Sequence, residues 1–465
     1  MASIPPLPLR SVSGLALSLA ICGAAPAQVY PYRAIDLGPV PGQPSFAGVT
    51  CASISRDGTR IGGTSVWEPY VFTVGAGMFA LPKLPGASNA LVDGVNDAGF
   101  AVGSSGLGTS QQPITACLWD PLGVITPIGG ASSWCSAINN QNVVVGGRRV
   151  TIGGQGYSHA TRWTAATGSV DLTPGIAASS IAHDINDAGQ ICLDTVSGGA
   201  RREPGGALTS TGGVVPYAIN EYGQMAGKEA ATGVAGRWTD GIGWEMFAAG
   251  SQIQLRNVHD VNDLGQVVGS RWILQNPSPP SYEKHGYLYT FGLGFQRIDQ
   301  WVDPAQQVYV YEIQGITDTG RMICDGSIGP DNRALLLEPR YVTPYGSGCG
   351  PTGGPSPRLG ATGVPAGGGR IALLGAGGHG GGFGVFALAS AAAALPLPGG
   401  CQVLVDLTAP LTFFTALNPI GQGQVVLDVP PGLPAGALFA QWASVDPAAG
   451  PASLSLSNGV RVDLQ

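Results

Sequence analysis

His183 and His259 each stand two residues before an aliphatic residue that opens an Asn-Asp pair, in His183-Asp184-Ile185-Asn186-Asp187 and His259-Asp260-Val261-Asn262-Asp263. Asp93 holds the same place before Val95-Asn96-Asp97. Two imidazoles and a carboxyl brought to one place can exchange protons or hold a polar ligand, so Asp93, His183 and His259 are the candidate binding residues. Alternation along an extended strand puts each on the face of its aliphatic neighbour, and all three point into one channel if those strands line it. The plain alternative is a set of polar residues at the end of an inner strand. Among the five histidines (His159, His183, His259, His285, His379) none pair at metal-ligand spacing, so no metal ligands and no cofactor are expected. No nucleophile elbow, phosphate loop or dinucleotide fingerprint sits in a strand-to-helix setting, which leaves no catalytic residue to name.

Three other residue sets invite chemistry. The single acidic residue of each turn (Asp57, Asp97, Asp187, Glu221, Asp263, Asp318, with Asn140 once) suggests a calcium loop, but calcium needs several oxygens converging from alternate positions. Asx turn chemistry alone accounts for the spacing. Phe72, Trp119, Trp163, Trp238 and Tyr289 recur in phase and are expected to pack between sheets, whereas Trp67, Trp134, Trp244, Trp272 and Trp301 fall outside that register and are the better candidates for a surface that binds. Cys349 and Cys401 form the candidate disulfide; Cys51 and Cys135 fall at equivalent places in separate repeats and read as small buried apolar residues.

The elements that position these residues are repeats. Val261 to Gly269 reads V-N-D-L-G-Q-V-V-G, and the design returns at Val95, Ile138, Ile185 and Ile219, with looser copies at Ile54 and Ile316. Each unit has an alternating strand, a tight Asn-Asp-x-Gly turn, a second strand, a third ending in the aromatic, and a short apolar fourth. Four short strands per unit, at spacings that vary from 34 to 55 residues between anchors, predict a seven-bladed β-propeller over residues 28–343, with a β-solenoid as the other architecture considered. The seventh unit meets Pro339 and Pro344 before a fourth strand can form, so the orphan strand at 29–37 is expected to complete it. A Gly/Pro-rich linker at 344–358 then leads to a small β-sandwich at 359–465. The fold class is all-β.

Composition narrows the partners. Charged residues are 11% of the chain, against the usual quarter or so, and the net charge is -7, which leaves no basic patch for nucleic acid. Residues 1–27 read as a secretory signal, with Arg10, an apolar run from Leu15 to Ile21 and Ala25-Pro26-Ala27. No later stretch is long and apolar enough to span a membrane, so the expected location is extracellular or at the cell surface.

The repeat resembles the bacterial extracellular HAF repeats. The matching residues are the I/V-N-D-x-G-Q-V-V-G turn, His159-Ala160-Thr161 and His285-Gly286-Tyr287 at the name-giving tripeptide, and Ile35-Asp36-Leu37-Gly38 in the fourth strand. The resemblance covers roughly residues 30 to 340 and implies an exported repeat protein without an assigned activity. The tail, from Tyr345-Gly346-Ser347-Gly348-Cys349 to Ser457-Asn458-Gly459-Val460, looks like a C-terminal β-domain attached to many exported bacterial proteins. The expectation is therefore a non-enzymatic binding or surface-structural protein that recognises a surface polysaccharide or a protein, with the tail for attachment or sorting. The alternative is a polysaccharide hydrolase or lyase acting at one mouth of the channel.

Overall fold

A computed structural model describes residues 29–43, 48–106, 114–247, 257–277, 280–350, 356–397, 401–445 and 454–465. The expected signal segment lies outside the described residues. The fold is all-β: among the described residues, besides strands, there are two short 3-10 turns, at Ile298–Trp301 and Pro304–Gln306. Among the described residues no helix is long and apolar enough to cross a membrane.

Seven four-stranded antiparallel sheets follow one another among the described residues. Their first strands are Val49–Ile54, Asn89–Val95, Ser133–Ile138, Ser180–Ile185, Val214–Ile219, Asn257–Val261 and Val308–Ile316, and sheets 1 to 7 are numbered in that order. Six sheets take their strands consecutively from the chain. Sheet 7 takes its fourth strand, Tyr32–Asp36, from the other end, with Ile35 opposite Leu336.

Each first strand packs against the next, and that of sheet 7 packs against that of sheet 1. Separate apolar clusters fill the spaces between successive sheets. Trp119, Val92 and Val71 lie between sheets 1 and 2. Cys51, Ile61 and Tyr70 meet Ile323, Ala334 and Leu336 between sheets 1 and 7. Because both faces of a sheet are covered, its second strand loses the usual alternation; Ala101–Gly106 is buried at every position. The in-phase aromatics belong to these fillings, with Trp119 fully buried and Phe72, Trp163, Trp238 and Tyr289 packed at cluster margins. In sheet 4, which lacks the aromatic, Arg202 stands opposite Ile191, where sheet 2 pairs Trp119 with Ala101.

The remaining strands form a five-stranded and a three-stranded sheet, with a two-stranded ribbon. Leu359, Ile371 and Leu373 of the smaller sheet meet Phe386, Leu388, Trp442, Val460 and Val462 of the larger in one apolar cluster. The expected linker boundary at 344 needs correction. Val342–Tyr345 already pairs with Leu454–Leu464 of the five-stranded sheet, and the Tyr345 hydroxyl donates to the Leu404 carbonyl at 2.7 Å. The glycines that suggested a free linker serve close approach instead: a Cβ on Gly348 would lie 2.3 Å from the Pro357 carbonyl oxygen. Cys349 and Cys401 are joined across 52 residues, with Cα atoms 5.4 Å apart, while Cys51, Cys117, Cys135, Cys192 and Cys324 are free and buried.

Candidate functional site: the axial channel

The first strand of every sheet carries a β-bulge at the same place, where one extra residue stands unpaired. The seven extra residues are Ala52, Asp93, Ser136, His183, Tyr217, His259 and Gln314, and all seven line one central cavity of about 200 Å³. Bulges re-aim a side chain out of the ladder. The bulge, and not the strand alternation expected from the sequence, accounts for the place of Asp93, His183 and His259 at the cavity. Opposite each bulge in five sheets stands a glycine, the last letter of V-V-G. A Cβ on Gly103 would lie 1.9 Å from the Leu91 carbonyl oxygen, and one on Gly269 would lie 1.9 Å from that of Asn257. Sheets 4 and 7 carry Leu193 and Cys324 there, so the glycine accommodates the bulge without being required for it.

Asp93, His183 and His259 belong to sheets 2, 4 and 6, each separated from the next by a whole sheet. Asp93 has no hydrogen-bond partner among the described residues, and burial pushes its carboxyl up to about 7. His183 is held by an edge-on contact with the Tyr217 ring, centroids 5.1 Å apart, and its Nε2 is buried without a partner. Burial lowers the His183 imidazole to about 4, so it is neutral at physiological pH. His259 is oriented: its Nε2 lies 2.7 Å from Glu312 Oε1. Glu312 also accepts from Ser270, Asn257 and Lys284. Burial opposes its ionisation, but the His259 and Lys284 bonds outweigh that and hold Glu312 well below the usual carboxylate range.

Above the bulges the other polar residues join sheet to sheet. Asp184 accepts the Ile219 N–H of the next sheet at 2.9 Å, and Asp260 accepts that of Ile316 at 2.8 Å. Burial raises these two carboxyls to about 7 and about 6, and the N–H bonds oppose the rise. The side-chain amides of Asn96, Asn139, Asn186, Asn220 and Asn262 each donate to a carbonyl of the following sheet at 2.9–3.1 Å. In an outer tier, Asp57, Asp97, Asn140, Asp187, Glu221 and Asp263 each donate a backbone N–H to the side chain of Asp97, Asn140, Asp187, Glu221, Asp263 and Asp318 in turn, at 2.8–3.0 Å. The reading of the Asn-Asp pair as turn chemistry alone was incomplete. Asn closes its own turn through Oδ1, as in Gln266 N–H to Asn262 at 2.9 Å, but its amide and the neighbouring acid fasten adjacent sheets.

Sheet 1 joins the tier through the Asp57 N–H but differs one residue earlier. Arg56 stands where other sheets have the acid, and its guanidinium contacts Glu221 and Asp187 in sheets 5 and 4, on the far side of the ring. Burial opposes the charge on Arg56, yet Glu221, Asp263 and Asp187 raise its pKa above the ordinary value. Arg56 therefore crosses the channel at the Asn-Asp end. The C-terminal sheets lie against this same end: Arg358 pairs with Asp318 and Asp263, Gln422 donates to the Asp263 carbonyl at 2.8 Å, and Leu264 packs on Ala372 and Leu374. Asp263 is raised to about 8 by burial and by Asp318, against the pull of Arg358.

No protein-family model matches the chain, and the search of curated proteins found no match. Among solved structures it is similar to the tricorn protease, at TM-score 0.23 and 11% identity, over 88% of this chain and 47% of that one. It thus spans about half the length of that enzyme. It is also similar to a protein of unknown function from Dyadobacter fermentans DSM 18053, at TM-score 0.18 and 9% identity, over 90% of this chain and 98% of that one. Superpositions this loose bear on neither activity nor site.

Of the off-register tryptophans, Trp67 and Trp272 are exposed. Trp301 stacks on Tyr32, and Trp134 and Trp244 lie over Gly147 and Gly236. His159 and His285, in corresponding third strands, are held within the fold: His159, buried, bonds Asp171 at 2.8 Å and the Ile176 carbonyl at 2.9 Å, and His285 meets the Tyr309 hydroxyl. Four of the seven channel residues, Ala52, Ser136, Tyr217 and Gln314, were not singled out from sequence. They share a signal with the other three, since each lies two residues before its anchor aliphatic, but their side chains do not titrate near neutrality and so drew no notice.

Proposed function

We propose that the chain is an exported, non-enzymatic binding protein. Residues 28–343 form a seven-bladed β-propeller that recognises a surface polysaccharide or protein, and the C-terminal β-sandwich serves attachment or sorting. The cyclic packing of seven similar sheets supports the propeller. The facing apolar sheets around Trp442 support the sandwich. The observation that carries the functional reading is the condition of the channel acids. Asp184, Asp260 and the outer carboxylates are engaged in joints between sheets, and among the described residues Asp93 is the one cavity carboxyl that neither accepts a hydrogen bond nor joins an ion pair. Acid-base cleavage of a glycosidic bond uses two carboxyl groups across the scissile atom.

The hydrolase or lyase reading keeps one observation in its favour, the His259–Glu312 pair, which presents an oriented imidazole to the cavity. One experiment separates the two. The exported form, beginning near Gln28, is incubated with neutral and acidic polysaccharides, and both retention and newly released sugar ends are measured. Retention without release is expected; release abolished by H259Q and D93N would replace the binding reading with the enzymatic one.

A further inference from the structure

The turn between the second and third strands of sheet 1 consists of Val66 and Trp67, both in left-handed backbone, at φ 46° and 71°. The matching turn of sheet 3 has the same pair of positive φ values, 60° and 82°, and is made of Gly153 and Gly154. Two-residue hairpin turns of this hand favour Asn-Gly or Gly-Gly because a Cβ is strained there, and a β-branched residue is the poorest choice. Burial does not repay the strain, since Val66 is 59% and Trp67 54% exposed. The turn is fixed by a bond from the Ala90 N–H to the Trp67 carbonyl at 3.1 Å, which glycine could accept equally well. The fold therefore accounts for the shape of the turn and not for its side chains. Strain kept where stability gains nothing points to a contact outside the fold.

The turn lies at the end of the ring opposite the Asn-Asp turns, hence away from the C-terminal sheets. Trp272 and Tyr282, on the long hairpin of sheet 6, are 45% and 56% exposed at the same end. An indole offers an apolar face that stacks on the C–H face of a pyranose ring. The adjoining carboxylate, Glu68, is matched by Lys83 at 2.5 Å, and the chain carries a net charge of -7, so a polyanion is disfavoured. We propose that the Val66–Trp67 turn is the aromatic contact of a face that binds a neutral polysaccharide, an inference that rests on the polymer-binding reading above.

The test compares the full chain with Val66→Asn/Trp67→Gly and with Trp67→Ala, using laminarin and xyloglucan as neutral probes and alginate as the acidic one, alongside thermal denaturation. The unsubstituted protein is expected to bind a neutral probe. The Asn-Gly variant is expected to melt roughly 2–6 °C higher and to bind about tenfold or more weakly. Trp67→Ala is expected to lose binding without the rise in melting temperature. Unchanged binding in both variants overturns the inference and leaves the polymer-binding reading intact, and a lower melting temperature for the Asn-Gly variant assigns the pair to the fold. Failure of the unsubstituted chain to bind either neutral probe overturns the inference; if alginate is retained alone, only the neutral class is lost, and if nothing is retained, polysaccharide recognition itself falls.

Discussion

Asp93 and His183 face the same cavity, and burial shifts them in directions that both favour the neutral form. The linkage signs therefore oppose each other. Asp93, with its folded pKa raised to about 7 above an unfolded value near 3.9, binds more protons folded than unfolded between those values, so its contribution falls as pH rises. His183, lowered to about 4, binds fewer protons folded, so its contribution falls as pH drops from about 6.5. Two variants separate the effects. Asp93→Asn is expected to match the parent near pH 4 and to exceed it at pH 8 by about 1–2 kcal/mol, a figure reduced from the pKa shift because the channel is polar. His183→Gln is expected to match the parent above pH 7 and to exceed it below pH 5. Urea midpoints at four or five pH values check both, and a gain for Asp93→Asn that shrank toward pH 8 would contradict the placement of its carboxyl.

At the scale of the element, the joint between sheets matters more than the turn that carries it. Asn262 donates to the Thr317 carbonyl and accepts the Gln266 N–H, and the residue is buried. Asn262→Ala leaves the Gln266 N–H buried and unpartnered and takes one of two donors from the Thr317 carbonyl, which keeps the Gly320 N–H at 3.0 Å, and is expected to cost about 1–3 kcal/mol by urea denaturation. Ser158→Ala, at a partly exposed strand position whose bond to Ser179 at 3.2 Å runs through the backbone N–H and survives the change, is expected to stay within about 0.5 kcal/mol. Reduction of Cys349–Cys401, which closes 52 residues, is expected to remove up to about 4 kcal/mol from the C-terminal sheets. Differential scanning calorimetry with and without reductant would show whether that loss stays within the C-terminal transition.

The repeat was legible because Asn, Asp and Gly recur at fixed spacing, and an orphan strand beside a unit lacking its fourth made the Tyr32–Asp36 pairing readable. The bulge was not. A β-bulge inserts a residue without a composition of its own, so Ala52 and Gln314 looked like any other strand residues. Nor could spacing reveal that Arg56 reaches across the ring, since its partners Glu221 and Asp187 are far along the chain and their proximity exists only once the sheets are arranged in a circle.

For the whole molecule, the C-terminal sheets and the ring share one end. Arg358 matters there because it meets Asp263, whose carboxylate is buried, together with Asp318. Arg358→Met takes away the guanidinium that Asp263 and Asp318 share and leaves Arg56 as the cation acting on Asp263. Faster proteolysis between the two parts, and a larger radius of gyration in small-angle scattering, are the expected results. An unchanged radius would show that the Leu264, Ala372 and Leu374 contact and the Gln422 bonds hold the parts together without Arg358.

The bulged positions have one further consequence. A side chain turned out of its ladder makes no cross-strand pair, so its ties to the frame are few and can be named: His183 to the Tyr217 ring, His259 to Glu312 and Gln314 to Asp325. Ala52, Asp93, Ser136, His183, Tyr217, His259 and Gln314 then form a seven-letter word whose spelling the frame constrains at those ties and leaves open elsewhere. A designer can rewrite Ala52, Asp93 and Ser136 together, changing what the channel admits while the joints between sheets stay as they are.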